Sequence, residues 1–97
     1  MIVRIVHMYF APENTAAFLA LFETHRSAIA AQPGCQSLKL VRGLDDPTCI
    51  STISKWDSQT DLDAYRHSAL FGEVWPATKA LFSAPPQAKS HELLWAS

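Results

Sequence analysis

The run from Ile2 to Phe10 constrains the fold more than any other stretch, because its apolar residues fall on both parities and a strand there needs cover on both faces. Such a strand belongs at the centre of a sheet. Pro12-Glu13-Asn14 follows, with a proline and an early acid suited to a helix start. Phe18, Leu21, Phe22, His25 and Ile29 then recur at spacings of three and four, which predicts a helix from about Glu13 to Ala31 with that stripe inward. Gln32-Pro33-Gly34 stops it, since the residue before proline leaves the helical region and Pro-Gly favours a turn.

Two extended runs, Cys35 to Leu44 and Thr48 to Trp56, flank Asp45-Asp46-Pro47 and should pair as a hairpin. In that hairpin, residues whose numbers sum to about 91 or 92 face each other. Cys49 then lies opposite position 42 or 43, too far along the strand from Cys35 for a disulfide. Both thiols are expected free. Ser58 with Asp61 three residues on approximates a capping box and predicts a helix over Gln59 to Ser68, with Leu62, Tyr65 and Ala69 on its apolar side. Helical spacing continues through Phe71, Val74, Trp75, Thr78, Leu81 and Phe82, interrupted by Pro76 and ended by Pro85-Pro86. Gln87 to Trp95 is the last predicted strand.

Strand, helix, strand, strand, helix, strand is the split βαβ order of a ferredoxin-like α+β fold, with a four-stranded antiparallel sheet and helices on one face. The first and third strands are expected as the exception, neighbours that run parallel, which would bring His7 and Trp56 to one edge. Helices on one face leave the other apolar sheet face for a second copy of the chain, so a homodimer is expected.

At 97 residues the chain is one domain, 1–97. Eight Lys and Arg against nine Asp and Glu give 8 − 9 = −1, which leaves no basic surplus for nucleic acid or an anionic membrane surface. The longest stretch without a charge, Ser27 to Leu38, contains Pro33-Gly34 and is too short to span a bilayer. With no secretory cleavage pattern behind the first strand, a cytoplasmic location is expected. Neither HxxxH nor CxxC occurs, the four histidines are isolated, and no Gly-x-Ser-x-Gly elbow or phosphate loop is present, so no metal site is predicted.

The Pro12-Glu13 helix opening, Pro33-Gly34-Cys35, Trp56-Asp57-Ser58 ahead of Leu62, and Tyr65-Arg66-His67-Ser68 with Leu70-Phe71 resemble the antibiotic biosynthesis monooxygenase superfamily over nearly the whole chain. The resemblance implies a dimeric α+β barrel with a ligand cleft between each sheet and its helices. It also implies a small cofactor-independent monooxygenase acting on a phenol or hydroquinone, which itself supplies the electrons. Such chemistry needs a base and donors for the oxyanion.

The catalytic candidates are His7, aligned with a first-strand asparagine of active members, Trp56 and Tyr65. Substrate-binding candidates are His25, Arg66 and Trp75. Each also has a plain structural reading: a buried histidine bonded to its neighbours, or an aromatic ring that only packs. A non-catalytic ligand-binding or structural dimer is the alternative function. Haem degradation is disfavoured, because the position of the relatives' iron-binding histidine falls at Trp75, whose indole has no lone pair for iron.

Overall fold

The computed structural model describes residues 1–97. Its elements are β1 (Ile2–Phe10), a single 3-10 turn (Pro12–Asn14), α1 (Thr15–Ala30), β2 (Cys35–Arg42), β3 (Cys49–Trp56), α2 (Gln59–Arg66), α3 (Ala69–Lys79) and β4 (Phe82–Glu92). The strands form one sheet in the order β2-β3-β1-β4, and every neighbouring pair is antiparallel. β1 is therefore central, as its two apolar parities require. No helix is long and apolar enough to cross a membrane.

The β1–β3 pair corrects the expected parallel sense. A helical crossover makes β1 and β2 run the same way; the hairpin then turns β3 against β2, and so against β1. His7 consequently pairs with Ser51 while Trp56 pairs with Ile2. Five residues of strand, about 16 Å at ~3.3 Å each, separate the two positions.

The hairpin register matches the predicted sum, with Lys39 opposite Ile53 and Arg42 opposite Ile50. Cys35 and Cys49 stand at opposite ends of β3's partner register and are free. Gly34, with φ 81°, takes the one left-handed position in the chain, where its carbonyl accepts from Asp57 N–H at 2.8 Å. A Cβ there would collide with the Asp61 side chain at the start of α2, so this turn needs glycine twice over.

Ser58 caps α2, its Oγ accepting from Asp61 N–H at 3.1 Å. The predicted helix end at Ser68 shortens to Arg66, because Ser68 itself caps a new helix: its Oγ accepts from Phe71 N–H and donates to the Tyr65 carbonyl. Pro76 lies inside α3, where it removes the amide that would bond the Gly72 carbonyl. The last strand differs most from expectation. It begins at Phe82, and Pro85-Pro86 falls inside it, at the irregularity where pairing with β1 shifts register. An edge strand tolerates this, since one side of its backbone has no ladder to lose.

All three helices pack on the sheet face carrying Val6, Met8 and Phe10. Met8, Phe10, Phe18 and Ile50 form the buried core, with the Phe10 and Phe18 rings stacked at 4.4 Å. The opposite face, with Val3, Ile5 and Ile53 half-buried and His7 exposed, has no covering element.

Candidate functional site

Between the sheet and the helices lies a cavity of about 270 Å³, to which 14 of its 19 lining residues bring hydrophobic side chains. That places it near the small end of the ~300–1,000 Å³ usual for small-molecule sites. Its floor is the even-numbered parity of β1 with Thr52, Ser54 and Trp56 of β3. One wall is an aromatic ladder from α2 and α3. The Tyr65 ring stacks on Trp56 at 5.2 Å and meets Phe71 edge-on at 5.3 Å; Phe71 then stacks on Trp75 at 5.8 Å. Such pairs contribute ~0.5–1.5 kcal/mol each beyond their buried area, which fixes the rings that bound the cavity.

Trp56 is 1 % exposed, and its indole N–H donates to Ser54 Oγ at 2.9 Å. The donor expected for a ligand is thus spent inside the protein, and the Trp56 ring is covered as well; it backs the Tyr65 ring, while Tyr65, Phe71 and Trp75 keep ring surface exposed. Tyr65 differs. Its hydroxyl has no partner within the chain, and burial, followed by the nearby Cys35 sulfur, pushes the phenol up to about 12. At neutral pH it is a proton donor and not a base.

Of the other candidates, Arg66 and Trp75 line the same cavity. His25 is half-buried on α1 but does not line it. His7 stands on the uncovered sheet face, where its Nδ1 lies 2.8 Å from Ser51 Oγ. The pairing of His7 with Trp56 in one cleft is therefore corrected: odd and even residues of β1 point to opposite faces. Trp56, Tyr65, Arg66 and Trp75 are brought together; His7 and His25 are not.

Sequence reasoning missed Arg4, Ser54 and Thr78, which also line the cavity. Arg4 shares the parity of Val6 and Met8, and that parity would have identified it, had β1 not been apolar on both sides. No carboxylate and no imidazole lines the cavity. No three His, Cys, Asp or Glu side chains stand close enough together to hold a metal ion.

Comparison with known proteins agrees with this fold. The family description antibiotic biosynthesis monooxygenase matches residues 1–75. Among solved structures, a crystal structure of an antibiotic biosynthesis monooxygenase superposes with a TM-score of 0.90 at 19% identity, covering 97% of this chain and 99% of that one. Rv0793 from Mycobacterium tuberculosis gives 0.90 at 20% identity, covering 99% and 97%. A conserved protein from Methanosarcina mazei Go1 gives 0.88 at 18% identity, covering 94% and 91%. At these identities the likeness shows the fold. No curated protein matches at a significant level.

Proposed function

The chain belongs to the antibiotic biosynthesis monooxygenase family, and from that premise we propose that it is a small monooxygenase of electron-rich aromatic molecules, phenols or hydroquinones, working without a cofactor. The observation that carries this reading is the aromatic-walled cavity whose lining includes Tyr65, a neutral phenol with no hydrogen-bond partner in the chain. A phenol with a free para position, or a hydroquinone with a free carbon beside a hydroxyl, takes up one dioxygen at that carbon to give a quinone or hydroxyquinone and one water, so the ring supplies all the electrons. The protein has to seat the ring flat, favour its phenolate and keep it accessible to oxygen.

Phe71 and Trp75 supply flat apolar surface, and Tyr65 donates a hydrogen bond to the substrate oxygen, stronger once that oxygen is anionic. With no carboxylate or imidazole in the cavity, the phenolic proton leaves to water at the mouth. Oxygen uptake measured across a panel of hydroquinones and naphthols tests this. Uptake that falls about 10²-fold in Tyr65→Phe fits a lost oxyanion donor; no uptake above the protein-free rate with any of them refutes the reading. The second reading, a non-catalytic ligand-binding dimer, draws support from the same lack of a base in the cavity.

The proposed assembly is a homodimer closed by the uncovered sheet face, where Val3, Ile5 and Ile53 are only half-buried. Exposed apolar patches of this kind are characteristic of association surfaces.

A further inference from the structure

The cavity carries two positive charges and no negative one. Arg4 on β1 and Arg66 at the end of α2 both line it, and none of its lining residues is an acid. This is unexpected in a chain whose net charge is −1. The only salt bridge in the molecule joins Glu23 and Arg26 on the outer side of α1, so neither cavity arginine has a carboxylate within ion-pair distance. Asp63 acts on Arg4 through space without pairing with it, and its carboxylate accepts from Gln59 Nε2 at 2.9 Å.

Arg4 is also placed. It sits opposite Ser54, the acceptor of the Trp56 indole N–H, and its Nη1 donates to Ser90 Oγ at 3.1 Å on the neighbouring edge strand. One nitrogen anchors the guanidinium and the remaining donors of the fork are free. Burial, and next the charge of Arg66, hold the Arg4 guanidinium below its ordinary range. Two like charges at one apolar cavity cost free energy that an anion between them would return.

Building on the aromatic-ligand reading above, we infer that the cavity takes an aromatic carboxylate, its ring against the Tyr65–Phe71 wall and its carboxylate held between Arg4 and Arg66. The bland account is that both side chains lay their stems on apolar surface and hold their charges in water. It predicts no preference for an anion.

Calorimetric titration with 2-naphthoate, its methyl ester and 2-naphthol separates the two. We expect 2-naphthoate to bind at least about 10-fold more tightly than the ester, and Arg4→Gln and Arg66→Gln each to weaken it about 10-fold while leaving the ester unchanged, as loss of a charged hydrogen bond requires. Arg66 is exposed, so Arg66→Gln carries the test even if Arg4→Gln fails to fold. Equal binding of acid and ester, or 2-naphthoate binding unmoved in Arg66→Gln, overturns the inference and leaves the aromatic cavity standing. Should 2-naphthol weaken as much as 2-naphthoate in the variants, the arginines face the phenol oxygen and the carboxylate assignment fails. If none of the three binds, the aromatic-ligand reading falls with it.

Discussion

Replacing Trp56 by Phe separates its two duties, filling the core and bounding the cavity. The substitution keeps a six-membered ring to stack on Tyr65 but removes the indole N–H that donates to Ser54 Oγ and two further buried carbons. Burial at about 0.8 kcal/mol per carbon contributes roughly 1.6 kcal/mol. The hydrogen bond adds ~1 kcal/mol, since Ser54 is itself buried and its oxygen is left without that partner. The expected loss is therefore ~2–3 kcal/mol, or about 10–20 °C in Tm for a domain of this length. Urea unfolding followed by circular dichroism, at one fixed protein concentration because association would add to stability, measures it. A double-mutant cycle with Ser54→Ala isolates the hydrogen bond, and ~1 kcal/mol of coupling is expected. A loss under ~1 kcal/mol, or a coupling within the ~0.3 kcal/mol expected of independent sites, would refute the assignment of Trp56 as a bonded core residue.

Two further outcomes follow from the packing. Tyr65 titrates near 12 when folded and near its ordinary ~10 when unfolded. Below about pH 10 both states hold the proton, and stability then falls as pH rises through 12 because only the unfolded chain ionises readily; the urea midpoint should drop between pH 9 and pH 11 in the parent and less in Tyr65→Phe, and an equal drop in both counts against it. For the proposed dimer, whose interface should bury roughly 2,000 Å² or more, light scattering at micromolar concentration should give twice the chain mass. Ile53→Asp, opposite Ile5 on the uncovered face, should give a monomer; a parent that is already monomeric defeats the assembly.

Much of the fold was legible because local signals agreed with the global one. The strand-helix-hairpin order, the Asp45–Pro47 turn and the Ser58 cap each have a local cause, and each recurs in the structure. Strand sense and facing were harder. The sequence of elements contains the antiparallel β1–β3 pairing, but only if the direction of each connection is followed through, and a single reversal moved His7 and Trp56 from one edge to opposite ends. β4 was hidden for another reason: Pro85-Pro86 reads as a strand breaker, and only its edge position makes it harmless. His25 has the right helical spacing and still misses the cavity, although Phe22 and Ile29 on either side of it in the stripe line it.

The ambiguity of β1 and the chemistry of the site have one origin. A strand apolar on both parities is needed when helices cover one face and another surface covers the second, and then neither parity advertises the cavity. Arg4 is the one charged residue inside that run, placed on the helix-facing parity between Ser54 and Ser90. At the other end of the same parity, Met8 and Phe10 are 3 % and 1 % exposed and close-packed with Phe18 and Ile50. Along one row of β1, packing thus gives way to a cavity and then to a charge. Substitutions near Phe10 should register in stability, and those near Arg4 in what the cavity binds.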